Sequence, residues 1–240
     1  MNRKNITFSS KEFTLRGTLH LPVAEQPPVV IGSHGLFSSS SSPKQITLAR
    51  RCNALGIAFF RFDHRGCGQS DGIFKDVTSI EARCDDLISA IKTIQIRKDI
   101  GDGIGLFGSS MGGTVCISVA AASDVYSIVT CAAPVRSSFS IKTPEISDDS
   151  KMLKQPFNIR YLESDISDKL SSIHHILIFH GDSDELVPPS NAREIYGKAG
   201  DPKKLIIQKG GDHRMSNRKH QEIFVREAAF WFKNCFDGTA

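Results

Sequence analysis

Three kinds of side chain that together perform nucleophilic catalysis stand at separate points of the sequence. Ser110 lies in a G-x-S-x-G pattern, and Asp182, Asp184 and His213 follow further along the chain. A serine hydroxyl is a weak nucleophile at neutral pH, so it needs a base, and histidine suits that pH. The imidazole in turn needs a carboxylate that fixes its tautomer. These residue types predict a serine nucleophile, a histidine base and an aspartate partner.

The sequence around Ser110 predicts the turn on which such a nucleophile stands. An apolar run ends at Phe107, and a helix-like run over residues 114–122 follows the motif. A strand, a sharp turn and a helix are the context in which G-x-S-x-G forms a nucleophile elbow. Gly108 and Gly112 have no Cβ atom, so the strand and the helix can approach closely. The alternative is an ordinary glycine-rich turn, because so short a pattern also arises by chance.

Predicted strands and helices, which must position these residues, alternate along the chain. Residues 5–21 read as an antiparallel strand pair. Short apolar runs, typical of buried strands, follow at 29–31, 57–62, 103–107, 125–131, 176–179 and 205–207. Apolar residues recur at helical spacing over 44–55, 79–97, 114–122, 190–199 and 218–235. The alternation predicts an α/β fold with a mostly parallel central sheet and helices on both faces.

The candidate residues follow directly after the predicted strands. In an open parallel sheet, sites form at the carboxyl ends of the strands. Ser110 ends one strand, Asp182 and Asp184 follow another, and His213 follows the last. We assign Ser110 as nucleophile, His213 as general base and then acid, and Asp184 as the orienting carboxylate, with Asp182 as the alternative acid. The alternative for His213 is a turn histidine that caps the preceding strand.

Composition limits the class of protein. The 240 residues suit one α/β domain over residues 1–240, and a hydrophobic content of 40% allows a sizeable core. The net charge of +4, from 30 basic and 26 acidic residues without a dense basic block, gives no reason to expect nucleic acid as a partner. No apolar stretch reaches the length of a membrane span, and the N-terminus has no signal-peptide pattern. We therefore expect a cytoplasmic protein.

Six cysteines are scattered without C-x-x-C spacing. That distribution predicts buried, reduced thiols and no metal site.

Residues 135–172 interrupt the alternation of strands and helices. They are mostly polar, with short apolar patches that include Phe157, Tyr161 and Leu162. The stretch is too long for a simple loop and too short for a domain. We predict a lid or cap insertion here, whose apolar residues either line a pocket or anchor the lid.

Five motifs in order resemble the α/β-hydrolase superfamily, and within it the compact cinnamoyl/feruloyl-esterase and serine-aminopeptidase-like group. They are residues 33–35, 62–72, 105–113, 180–188 and 211–213. The resemblance covers the chain except residues 135–172, and the order Ser…Asp…His agrees with it.

The resemblance implies roles for individual residues. It favours Asp184 as the triad acid and leaves Asp182 to shape the turn. It implies an oxyanion hole formed by the backbone N–H groups of Leu36 and Met111, with Phe37 as the fallback for Leu36. It also implies that Asp63 and Arg65 brace loops beside the site, and it requires no cofactor or metal.

The function that the resemblance implies is hydrolysis of a small-molecule carboxylic ester through an acyl-enzyme on Ser110. An aminopeptidase or a thioesterase would use the same triad, and Glu145, Asp148 or Asp149 could hold a substrate amine. A catalytically inactive binding module of the same fold is the non-enzymatic alternative. The serine itself argues against a dienelactone hydrolase, which uses a cysteine nucleophile.

Overall fold

The structure is a computed structural model that describes residues 2–137 and 162–239. Ten strands lie in those ranges: β1 Asn2–Ser10, β2 Phe13–Leu21, β3 Val29–Ser33, β4 Ala58–Phe62, β5 Ile104–Ser109, β6 Ser127–Cys131, β7 Arg136–Ser137, β8 Ser164–Asp165, β9 Ile176–Gly181 and β10 Lys203–Gln208. The helices there are α1 Pro43–Ala54, α2 Phe74–Val77, α3 Ile80–Gln95, α4 Met111–Ala120, α5 Ser190–Lys198 and α6 Arg218–Phe236.

One twisted layer of eight strands forms the centre of the described protein. Their order is β1-β2-β4-β3-β5-β6-β9-β10. The strand β2 runs antiparallel to both β1 and β4, whereas all pairs from β4 to β10 are parallel. The predicted mostly parallel sheet with an antiparallel pair near the N-terminus is therefore confirmed.

Alternation along the parallel strands sends side chains into two separate cores. In β4, Phe60 and Phe62 lie in the core covered by α3, α4 and α5, whereas Phe59 lies in the core under α1 and α6. In β9, Ile178 lies in the first of these cores and Phe179 in the second. Successive strand residues point to opposite faces, so a strand covered on both faces must be apolar throughout. This explains the uninterrupted apolar runs in the sequence.

The described ends of the predicted insertion pack against the domain. The short strands β7 and β8 pair antiparallel, and Ile166 and Leu170 are buried in the core that contains α3 and α4. Phe157 and Tyr161, together with most of the predicted lid, lie outside the described residues. The lid therefore stays a prediction.

All six cysteines are free, and five of them are buried while Cys84 is half-buried. Among residues 2–137 and 162–239, no helix is long and apolar enough to cross a membrane.

Candidate active site

Ser110 stands on a strained turn between β5 and α4. Its backbone has φ 54° and ψ −128°, a region that residues with side chains rarely occupy. Three backbone hydrogen bonds hold it there: its N–H donates to Cys131 O at 2.8 Å, and its carbonyl accepts from Gly113 N at 2.7 Å and from Thr114 N at 3.4 Å. Strain of this kind persists only where the surroundings impose it, and it is concentrated at functional sites.

Two glycines make the turn sterically possible. A Cβ atom on Gly108 would overlap the backbone of Gly112, and a Cβ atom on Gly112 would overlap the carbonyl oxygen of Ser33 at the end of β3. The strand–turn–helix context and the close approach predicted for these glycines are therefore confirmed.

The turn brings Ser110 to a histidine and an aspartate that are distant in sequence. His213 Nε2 lies 3.1 Å from Ser110 Oγ. On the other side of the ring, His213 Nδ1 lies 2.9 Å from Asp184 Oδ2 and 3.0 Å from Oδ1. A carboxylate only accepts, so Nδ1 carries the proton and Nε2 is free to accept one from the serine hydroxyl.

The Asp184 side chain is fully buried and has several donors around it. Its Oδ1 accepts from Leu186 N at 3.0 Å and Val187 N at 2.7 Å. His180 Nε2 lies 3.2 Å from Oδ2. Burial alone would raise the pKa of this carboxyl, but the hydrogen bonds from His180, His213 and Val187 outweigh it and hold the pKa below its ordinary value. The group is therefore a carboxylate wherever a histidine works as a base.

Asp182, the alternative acid, has different partners. Its Oδ1 accepts from Gly210 N at 2.6 Å and from Ser183 Oγ at 3.1 Å, and the residue is exposed. Those contacts shape the turns after β9 and β10. Among the two predicted acids, Asp184 is the one in contact with the histidine.

The loop after β3 lies against the serine. A Cβ atom on Gly35 would be 3.5 Å from Ser110 Cβ. In the part of the chain that the structure describes, the backbone N–H groups of Leu36 and Met111 donate no hydrogen bond. Both residues are buried in a small apolar cluster with Cys67, Phe74, Ile80 and Leu162, which we call the loop cluster. Two unused amides beside the nucleophile are what an oxyanion hole requires.

Polar residues brace the neighbouring loop, as the resemblance implied for Asp63 and Arg65. Asp63 accepts from Ser40 N at 2.6 Å and from Gln69 N at 3.1 Å. Arg65 donates to Asp86 Oδ1 through Nε at 2.9 Å and Nη2 at 2.7 Å. These side chains fix loops, and within residues 2–137 and 162–239 neither forms a hydrogen bond with Ser110 or His213.

Three neighbours of the site were not singled out by the sequence reasoning. His180 contacts Asp184, Lys44 Nζ lies 3.3 Å from Ser109 Oγ, and Arg83 donates to the loop after β3. A signal existed for Arg83, because residues 80, 84, 87 and 91 form the apolar stripe of its helix and position 83 lies on that stripe. A charged residue on a buried face is the informative exception.

Within the described residues, no group of three or more histidine, cysteine or acidic side chains could hold a metal ion. All the site chemistry described above comes from protein side chains and backbone amides.

A mostly parallel sheet whose central strand β5 ends in a nucleophile elbow is the architecture of the α/β hydrolases, and this protein has that fold. Within the superfamily, the chain belongs to the serine aminopeptidase S33 family, which matches residues 24–172. The resemblance inferred from the five motifs is confirmed, and the family is one of hydrolases.

The chain is similar to several named hydrolases. The chain is 27% identical over 223 residues to the mitochondrial palmitoyl-protein thioesterase ABHD10 of Mus musculus, covering 82% of this chain and 73% of the relative. Among solved structures, the α/β hydrolase GrgF from Penicillium sp. sh18 superposes with a TM-score of 0.81 at 18% identity, over 99% of this chain and 100% of that one. Est1E from Butyrivibrio proteoclasticus with bound ferulic acid has a TM-score of 0.77 at 17% identity, over 97% and 99% of the two chains. At these identities the two structures show the fold alone.

Proposed function

We propose that the protein is a serine hydrolase that cleaves carboxylic esters of small molecules through an acyl-enzyme on Ser110. The observation that carries the proposal is the continuous contact from Ser110 through His213 to Asp184, at 3.1 Å and 2.9 Å. Each of the three residues comes from a different strand end, so a purely local structural motif does not account for their meeting.

Acylation follows from the direction of these contacts. Ser110 Oγ attacks the acyl carbon while His213 Nε2 takes the hydroxyl proton. The Asp184 carboxylate holds the ring through Nδ1 and stabilises the imidazolium that forms. The same Nε2 proton then passes to the leaving alcohol oxygen as the ester C–O bond breaks.

The negative charge of the tetrahedral intermediate needs donors at its oxygen. We assign this role to the backbone N–H groups of Leu36 and Met111, with Phe37 as the alternative to Leu36. The amide of Met111 also lies in the first turn of α4, where the helix dipole favours negative charge. Each donor is worth about 2.7–4 kcal/mol of the barrier.

Deacylation repeats the sequence with water as nucleophile. His213 takes a proton from water, the hydroxide attacks the acyl carbon, and Ser110 Oγ leaves with the proton from Nε2. The products are the carboxylic acid and free enzyme, so no cofactor is needed for balance.

Replacement of Ser110 tests this proposal. Ser110→Ala removes the nucleophile, so we expect it to abolish hydrolysis of p-nitrophenyl acetate and butyrate and to abolish labelling by a fluorophosphonate probe. Ser109→Ala, one residue away, is the matched control that keeps the elbow. Ser110→Ala with near wild-type turnover, or a folded wild type that neither turns over nor labels, would refute the proposal and favour the binding-module alternative.

An acyl thioester is the second candidate substrate, and the loop cluster favours it. Leu36 and Met111, which flank the elbow, are buried in one apolar cluster with Phe74 and Leu162, and Phe37 and Leu186 are exposed apolar residues of neighbouring loops. The mouse relative is named a palmitoyl-protein thioesterase. Residues 135–172, our proposed lid, would complete the wall of such a pocket.

A substrate panel separates the candidates. Matched p-nitrophenyl esters and acyl thioesters of 2 to 16 carbons would be compared by kcat/KM, with aminoacyl anilides as the arm for an aminopeptidase. A short-chain ester optimum supports the esterase, and a thioester optimum that rises with chain length supports the thioesterase. Preference for anilides with a free amine would replace both.

A further inference from the structure

Arg83 is a buried cation on the apolar side of α3. It is 0% exposed and lies one turn from Ile80 and Leu87, which are also buried. Among residues 2–137 and 162–239, no carboxylate forms an ion pair with its guanidinium. Burying a charge without a paired charge is costly, so its position needs another explanation.

The guanidinium instead meets the loop after β3 at three successive carbonyl groups. Nη1 donates to His34 O at 3.2 Å and approaches Gly35 O at 3.5 Å, and Nη2 donates to Leu36 O at 3.1 Å. From the other edge of the group, Nε lies 3.3 Å from Thr78 Oγ1. A planar fork of fixed N–H groups spans several acceptors in a way that a single ammonium does not.

Two of these carbonyls, those of Gly35 and Leu36, belong to the peptides that carry the proposed oxyanion donors. The oxygen of Gly35 and the N–H of Leu36 are the two ends of one planar peptide unit. The oxygen of Leu36 is likewise paired with the N–H of Phe37, the alternative donor. A charged donor on the carbonyl end therefore both orients the N–H end and polarises it.

His34 also contacts the first of these peptides, at the carbonyl of Gly35. Its Nε2 accepts from His64 N at 3.2 Å, so the ring proton is on Nδ1, which donates to Gly35 O at 2.8 Å. Burial and the nearby Arg83 charge lower the pKa of His34, so it stays neutral. The loop carbonyls thus accept from one neutral and one charged side chain.

We infer that Arg83 is the positioning residue of the oxyanion hole, holding the peptides 35–36 and 36–37 so that their N–H groups face the oxygen above Ser110. The inference rests on the proposed function. It predicts that loss of the guanidinium acts on the transition state and leaves substrate binding nearly unchanged.

Arg83→Met and Arg83→Lys test this in the 240-residue protein. Loss of one whole oxyanion donor lowers kcat by about 10²–10³-fold, so misorienting it through Arg83→Met should lower kcat by roughly 10- to 100-fold with little change in KM. Arg83→Lys keeps the charge but lacks the planar guanidinium, so its kcat should lie between those of Arg83→Met and the wild type. Rates are taken per active site titrated with a fluorophosphonate, which removes any contribution from misfolded protein.

Inhibition by a boronic acid that adds to Ser110 provides a second measurement. If Arg83 had only a structural role, its replacement would leave this inhibition constant unchanged. The boronate adduct places an oxygen where the oxyanion forms, so the inhibition constant should rise by about the factor lost in kcat/KM. Arg61→Met is the matched control, because Arg61 Nη1 donates to Ser40 O at 2.8 Å, later in the same loop. It should change Tm without changing the rate per titrated site.

These experiments distinguish failure of the role of Arg83 from failure of the proposed hydrolase function. Wild-type rates per titrated site in Arg83→Met would overturn the role of Arg83 while the proposed hydrolase stands. Should Arg83→Met fail to fold, unchanged kcat and boronate inhibition in Arg83→Lys would overturn it instead. A wild type with no turnover and no labelling would overturn the proposed function, and the role of Arg83 with it.

Discussion

Asp184→Asn is the most direct test of how the site works. Asp184 Oδ1 accepts two backbone N–H groups, from Leu186 at 3.0 Å and Val187 at 2.7 Å, so the asparagine oxygen is expected to take that position. Its NH2 group then occupies the place of Oδ2, which lies 2.9 Å from His213 Nδ1. The NH2 group donates, so Nδ1–H loses its nearer acceptor and keeps only the oxygen at 3.0 Å, which already accepts two backbone N–H groups. We therefore expect the proton of the imidazole to move to Nε2.

That tautomer faces Ser110 with a proton where the site needs a lone pair. His213 Nε2, 3.1 Å from the serine oxygen, no longer accepts the hydroxyl proton. The matching substitution in a serine protease costs about 10⁴-fold in kcat. We expect a loss of the same order here, equivalent to about 5.4 kcal/mol of transition-state stabilisation.

The assay is p-nitrophenyl ester hydrolysis at neutral pH, with folding checked by circular dichroism and Tm. Asp182→Asn is the matched control, since its carboxylate bonds Gly210 N at 2.6 Å and does not contact the histidine. It should retain most of the wild-type rate. The reasoning is refuted if Asp184→Asn stays within tenfold of wild type, or if Asp182→Asn loses as much.

Two further predictions concern stability. Gly112→Ala sets a Cβ atom against the Ser33 carbonyl at the end of β3 and should destabilise by about 1–3 kcal/mol in urea unfolding. Gly197→Ala in α5, where a Cβ atom meets nothing within 4 Å, should stabilise slightly, and equal effects at both sites would contradict the packing argument. Burial and the nearby Arg61 charge lower the pKa of His20 from 6.5 to about 4, so the unfolded chain takes up a proton in that range before the folded protein does. Stability therefore falls as the pH is lowered from 6.5 to 4, and His20→Gln should reduce that slope by up to about 1.4 kcal/mol per pH unit, whereas an unchanged slope would contradict the assignment.

The fold was predictable because its signals are local. An uninterrupted apolar run such as residues 176–179 requires cover on both faces of a strand, and the observed β9 has it. The elbow was equally visible, since the glycines on either side of Ser110 are required by backbone contacts within a few residues. Features of this kind can be predicted because the residues that require them are close together in the sequence.

The supporting contacts of the site were harder to predict because they join distant segments. The choice between Asp182 and Asp184 depended on which carboxylate the loops after β9 and β10 turn toward His213, and spacing alone left both open. The contact between Arg83 and Leu36 joins residues that are 47 positions apart. Only the path of the chain through the described structure reveals such pairs.

The energetics of Arg83 agree with our inference that it positions the oxyanion hole. Burying a cation without a paired charge is costly, and an apolar side chain of similar volume would recover that cost. Against that gain, Arg83→Met would leave the carbonyls of His34 and Leu36 without their donor, at about 1–3 kcal/mol for each buried group. The two effects are of similar size, so a fold under selection for stability alone has little reason to keep a cation on this apolar stripe. The charge makes sense where a loop must hold its amides toward an oxygen that becomes negative only during the reaction.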